Sequence, residues 1–165
     1  MNISGIEMDS IVDGSGIRMT VFFQGCPHHC KGCHNPETWD YNIERNIMSV
    51  EEILNIFDSD SILAGITLSG GEPFSPCNFD EILELCKAVK ERKKNIWVFT
   101  GYTIEKLVEK YPEIRETLLP YIDVIVDGPF ILEKKDYLCR FRGSNNQRLI
   151  DVKKYLLGEE NFCFE

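Results

Sequence analysis

The chain has 165 residues, 43% of them hydrophobic, and 27 acidic against 18 basic residues give a formal net charge of -9. That length suits one domain, residues 1–165, whose core needs no disulfide support, and the acidic balance opposes sequence-independent binding to nucleic acid. Seven cysteines cannot complete an intramolecular disulfide set, the first ten residues lack a signal peptide's basic start and apolar run, and no apolar stretch nears the roughly 20 residues of a membrane span. A cytoplasmic protein is expected, with neither membrane nor nucleic acid as partner.

Asp13-Gly14-Ser15-Gly16 lacks the third glycine and the preceding strand of a dinucleotide fingerprint. Ile17 to Phe23 is β-branched and aromatic enough for a strand, and it runs into Gly25-Cys26-Pro27-His28-His29-Cys30-Lys31-Gly32-Cys33-His34. Ser49-Val50-Glu51-Glu52 reads as a capping box, with Val50, Ile53, Leu54 and Phe57 on one face of the helix it opens. Ile66-Thr67-Leu68 is a short buried strand leading to Ser69-Gly70-Gly71-Glu72-Pro73. A second helix opens at Asn78, with Glu81 three positions on and Phe79, Ile82, Leu83, Cys86 and Val89 inward. Ile96 to Thr100 is a strand before Gly101. Thr103 then caps a helix that turns Ile104, Leu107, Val108 and Tyr111 inward and ends at Pro112. Ile122 to Val126 is a fourth strand, followed by Asp127-Gly128-Pro129, and Arg148 to Val152 is a candidate fifth.

Strands alternating with amphipathic helices predict an α/β fold with a mainly parallel sheet and right-handed crossovers. In such folds the strand ends that precede helices form one rim, where active sites collect. The cysteine loop, Gly70-Gly71, Gly101 and Asp127-Gly128-Pro129 are therefore expected to converge on one mouth.

Cys26, Cys30 and Cys33 put three thiolates on one loop, and the next cysteine is Cys77. Thiolates are soft ligands that suit iron-sulfur clusters and zinc. Electron-carrier ferredoxins close every iron with four cysteines, so a trio leaves one corner of a four-iron cube open for chemistry. The alternatives are a zinc site completed by His28, His29 or His34, or a loop of unrelated thiols, although structural zinc loops usually bring their ligands as two separated pairs. Gly25 and Gly32 allow the tight turns that point amides at the sulfurs. Gly70-Gly71 lets a ligand approach the main chain, and the Glu72 carboxylate suits a cationic amine; an ordinary tight turn is the plain reading.

Cys26, Cys30 and Cys33 together with Gly70-Gly71-Glu72-Pro73 resemble the radical S-adenosylmethionine superfamily. The likeness narrows to the activating proteins of anaerobic ribonucleoside-triphosphate reductase. It rests on Val12 to Arg18, Gly25 to Asn35, Glu37-Thr38-Trp39, Trp97 to Tyr102, Val126 to Phe130, Phe141 to Ser144 and Asn146-Gln147-Arg148. It runs from the first strand to Asp151; Ser15 departs from it, since proline is common there.

The resemblance implies a radical S-adenosylmethionine domain with Cys26, Cys30 and Cys33 as metal ligands to a 4Fe-4S cluster and S-adenosylmethionine on the open iron. Gly70, Gly71 and Glu72 would receive the methionine amine. Gly32, Cys33 and His34 would line the cofactor, with the His34 ring against its adenosyl part. Reductive cleavage would give a 5′-deoxyadenosyl radical that takes hydrogen from a glycine Cα of the reductase, fed by a low-potential electron donor. A complete barrel takes about 250 residues, so this chain has room for a partial, laterally open (β/α) barrel of about five or six units. An open side admits a loop of another protein. The runner-up is an activator of another glycyl-radical enzyme, such as pyruvate formate-lyase; a non-catalytic metal-binding or electron-transfer module is the reading from a different class.

Other residues take plainer readings. Cys86 is a core residue, Cys139 and Cys163 show no ligand spacing, and a fourth-ligand role for Cys77 is disfavoured. His28 and His29 read as solvated loop residues. Arg140, Arg142 and Arg148 serve the partner or the adenosine, or pair with the acidic surface. Asp127 ends a strand at the rim without an assigned role.

Overall fold

The computed structural model describes residues 1–164. Its strands are β1 (Asn2–Ser10), β2 (Arg18–Phe23), β3 (Asn46–Ile47), β4 (Gly65–Gly70), β5 (Asn95–Phe99), β6 (Val124–Asp127) and β7 (Arg148–Asp151), in one open sheet of order β3-β1-β2-β4-β5-β6-β7. The pairings β2-β4, β4-β5 and β5-β6 are parallel. Those of β1 with β2 and β3, and of β6 with β7, are antiparallel. Four strands thus form the parallel centre, fewer than the five or six units anticipated from chain length, and antiparallel strands take the edges. Strand β1 escaped the sequence reading because its register shifts between Ile3 and Gly5 and again between Glu7 and Ser10, which breaks the period of two.

The helices are α1 (Val50–Phe57), α2 (Phe79–Glu91), α3 (Ile104–Lys110), α4 (Ile114–Thr117) and α5 (Val152–Leu156). The capping box of α1 forms as expected: the Glu52 amide donates to Ser49 Oγ at 3.2 Å, and the Ser49 amide donates to Glu52 Oε2 at 2.8 Å. Thr103 caps α3. Asn78 does not cap α2; its side-chain amide donates to the Pro73 carbonyl at 3.4 Å. Glu81 accepts instead from the Met1 ammonium at 2.7 Å, which ties the chain start to the first turn of α2.

Side chains alternate across a strand, so each strand shows one face to the helices and the other away from them. Met19, Val21 and Phe23 of β2, Ile66 and Leu68 of β4, Ile96 and Val98 of β5 and Ile125 of β6 join the buried faces of the helices in one apolar core. Trp97, Val124 and Val126 form a separate, smaller cluster on the opposite face, capped by Phe99, Phe141 and Leu149. Among the described residues no helix is long and apolar enough to cross a membrane.

Candidate active site

The cysteine loop leaves β2 where Phe23 pairs with Gly70, so it starts beside the glycine pair. Backbone bonds stitch the two segments together: the Gly71 amide donates to the Phe23 carbonyl and the Glu72 amide to the Gly25 carbonyl, each at 2.8 Å. Gly70 is required here, because it adopts φ +85° and a Cβ would lie 2.7 Å from Phe22 Cα. The start of the cysteine loop is also tied to its return, through the Gly25 amide to Thr38 O at 2.7 Å and the Cys26 amide to Trp39 O at 3.1 Å.

The four segments that the sequence sent to one rim do meet. Cys26, Cys30, Cys33 and His34 line one cavity of about 220 Å³ with Gly70, Gly71, Gly101 and Gly128. Gly32 and Glu72 are not in its lining. Gly32 turns the chain behind Cys33 and lies against Leu132.

The Cys26, Cys30 and Cys33 thiols are free and half-buried. Burial pushes Cys26 up to about 11, opposed by the amides of His28 and His29 directed at its sulfur. Burial also raises Cys30, opposed by the amide of Phe130. The Asn35 amide donates to Cys33 Sγ at 3.4 Å. A buried thiol of this kind is a poor free nucleophile at neutral pH and loses its proton when a metal takes its place. Backbone donors already directed at the sulfurs then support the thiolates. Among the described residues no group of three His, Cys, Asp or Glu side chains is arranged to hold a single metal ion. Three sulfur donors lining one cavity, with backbone amides directed at them, fit an iron-sulfur cluster.

Glu72 lies beneath this cavity, fully buried, with both oxygens engaged. Oε1 accepts from the Phe74 amide at 3.0 Å and from Thr100 Oγ1 at 2.9 Å, and Oε2 accepts from the Gly101 amide at 2.9 Å. Its fourth partner is His28, whose Nε2 donates to Oε2 across 2.6 Å. His28 is thus no solvated loop residue: it packs edge-on against Tyr102 with ring centroids 4.5 Å apart, and Gly101 leaves room for its ring. The carboxylate joins the cysteine loop, the glycine pair and the end of β5 at one point. His29 is exposed and stacks on Trp39.

The other charged residues singled out in the sequence find partners within the fold. Asp127 is buried and accepts from the Ile104 amide at 2.8 Å, at the first turn of α3, and from Arg148 Nη2 at 2.5 Å. Arg148 also reaches Glu105 at 2.8 Å, so of its alternatives the ion pair is realised. Arg142 donates to the Gln147 carbonyl at 3.0 Å, and the Arg140 guanidinium lies over Phe141 at 4.8 Å. Cys86 is buried in the core, where its thiol is pushed up to about 12; Cys77 and Cys163 are exposed.

Two residues that the sequence names only within longer segments acquire roles here. Arg18 is fully buried at the start of β2, donating to Thr67 Oγ1 and the Ile66 carbonyl at 2.7 Å each, and burial lowers it to about 10. Thr67 in turn donates to the Asp13 carbonyl at 2.8 Å, so Arg18 helps set Asp13 on the cavity wall. Gln147 also lines the cavity; its Oε1 accepts from the Gly143 amide at 2.9 Å and its Nε2 donates to the Gly128 carbonyl at 3.1 Å. Neither role has a local signature, because each depends on partners from distant segments.

A family model described as a 4Fe-4S single cluster domain matches residues 12–150. The anaerobic ribonucleoside-triphosphate reductase-activating protein of Vibrio cholerae is 42% identical over 142 residues, covering 83% of this chain and 89% of its own length. That of Haemophilus influenzae is 38% identical over 152 residues, covering 89% of this chain and 96% of its own. The crystal structure of QueE from Escherichia coli is similar in fold, with a TM-score of 0.50 and 19% identity over 61% of this chain and 52% of that one. At these identities over most of both chains, this chain belongs to the family of anaerobic ribonucleoside-triphosphate reductase-activating proteins.

Proposed function

We propose that this chain is a radical S-adenosylmethionine enzyme that generates a glycyl radical on anaerobic ribonucleoside-triphosphate reductase. The observation that carries the reading is one cavity lined by three free thiols and two glycines of a strand-end turn. Cys26, Cys30 and Cys33 hold a 4Fe-4S cluster as its three protein ligands. Gly70 and Gly71 offer main-chain groups to the methionine amine of S-adenosylmethionine, and the His34 ring, which sits 5.3 Å from that of Phe130, borders the adenosyl part. Gly32 shapes the turn into Cys33. Glu72 serves this site through its grip on His28, Thr100 and Gly101 and has no oxygen to spare for the amine. When bound, the cluster supplies the electron that cleaves S-adenosylmethionine to methionine and a 5′-deoxyadenosyl radical, which takes hydrogen from a glycine Cα of the reductase.

The sheet reads as a partial (β/α) barrel within one domain, residues 1–165, open to a loop of another protein. The cluster belongs at the reducing end of its range, so a low-potential electron donor is required. Seven thiols in the chain suit the cytoplasm, and neither nucleic acid nor membrane is assigned as a partner.

Anaerobic reconstitution tests this reading. Dithionite and S-adenosylmethionine should yield 5′-deoxyadenosine, and adding the reductase should yield a glycyl radical by electron paramagnetic resonance. A colourless, zinc-loaded protein that makes neither would overturn it.

A further inference from the structure

Two further cavities share lining residues with this one, and they differ in chemistry. The first shares Phe22 and Asn35 and lies along β1, where Glu7 and Glu37 line it. The second shares Asp13, His34 and Phe99 and has its mouth between Ile11-Val12 and Cys139-Arg140.

Residues 134–145 form a flap at this second mouth. Lys135 and Ser144 make an antiparallel bridge, the Asn145 amide donates to Lys134 O at 2.9 Å, and the Cys139 amide donates to Asp136 O at 3.3 Å to close the tip. The flap is anchored by Phe141, which meets Trp97 edge-on at 5.2 Å, and by Gln147, which takes the Gly143 and Ser144 amides. Its tip is different. Tyr137 and Leu138 stand 87% and 94% exposed, and on the other lip Ile11 and Val12 are each 70% exposed. Scattered apolar residues are normal on a surface, but Ile11 and Val12 in the lining of a cavity that adjoins the active site, with Tyr137 and Leu138 next to its Cys139, point to an interaction site. From Glu133 to Arg142 the chain carries four basic residues against two acidic ones, the reverse of its overall 18 against 27.

We infer that this mouth docks the glycine-bearing loop of the reductase, with Tyr137 and Leu138 against apolar side chains of that loop and Lys134, Lys135 and Arg140 against acidic ones beside it. The inference rests on the activase reading, which requires a protein segment to reach the cavity. Of the two neighbouring cavities, the one along β1 is lined by Glu7 and Glu37 and by none of the strongly exposed apolar side chains.

The test uses the reconstituted full chain with Tyr137→Ser and Leu138→Ser together, positions so exposed that folding is untouched. Loss of these anchors should raise both Kd and KM for the reductase roughly tenfold or more, with the rate recovered at high reductase concentration. Production of 5′-deoxyadenosine with dithionite and no reductase should match wild type. Lys134→Glu with Lys135→Glu should weaken binding in the same direction and flatten its salt dependence. Ile62→Ser, 63% exposed and ahead of β4, at the strand end away from the cavity, should change nothing. Wild-type Kd and KM in the Tyr137 and Leu138 variant would overturn the inference. If the wild-type protein makes no 5′-deoxyadenosine, the activase reading fails, while the direct binding measurement still decides the docking surface.

Discussion

On the helix-covered side of the sheet, Val21, Ile66, Leu68 and Val98 are wholly buried in one apolar core, whereas their strand neighbours on the other side include Arg18, Thr20, Thr67 and Ser69. Strands of a parallel sheet covered on both faces read as nearly continuous apolar runs. Here the alternation survives because the helix-covered face carries the main core, whereas the other combines polar groups around a cavity with the smaller apolar cluster of Trp97, Val124 and Val126. Arg18 shows what this demands: a fully buried guanidinium is tolerated because hydroxyl, carbonyl and amide oxygens meet its donors. Stability and chemistry are thus assigned to opposite faces of the same strands.

Substitutions on each face can break this division. The largest effect belongs to the cavity side: Cys30→Ala should abolish 5′-deoxyadenosine formation and lower the iron bound per chain. The urea midpoint of its metal-free form should stay within about 0.5 kcal/mol of wild type, as expected for a residue outside the core. Retained turnover would show that the ligand set is wrong, and a collapsed fold would show that the two faces are not separable.

On the helix side, Leu68→Ala should cost about 2–5 kcal/mol in chemical denaturation, from lost burial and the cavity left behind. Activity per folded molecule should be preserved. Glu72→Gln sharpens the comparison, because this residue joins the two functions. Glutamine keeps one acceptor oxygen for partners that now use two, so a buried donor is left unmet at about 1–3 kcal/mol. Denaturation and iron content should both fall; an unchanged value of either would confine Glu72 to the other role.

Much of this molecule follows from short stretches of sequence. The capping box at Ser49, the Thr103 cap, the inward helix faces and the central parallel strands are set by nearest neighbours and periodicity, which the order of residues carries directly. The cysteine spacing and the paired glycines are likewise local in sequence, and both line one cavity as the strand order implied. What needed the tertiary structure is every role shared across the chain. Glu72 reads in the sequence as a carboxylate suited to an amine, and only the structure sets His28, Thr100 and Gly101 on its oxygens; His28 looked solvated until its partner 44 residues away was in place. Asp127 and Arg148 found each other across the antiparallel β6-β7 pairing. A buried polar group has to find a partner, and which one it finds is decided by the three-dimensional path of the backbone rather than by the residues beside it.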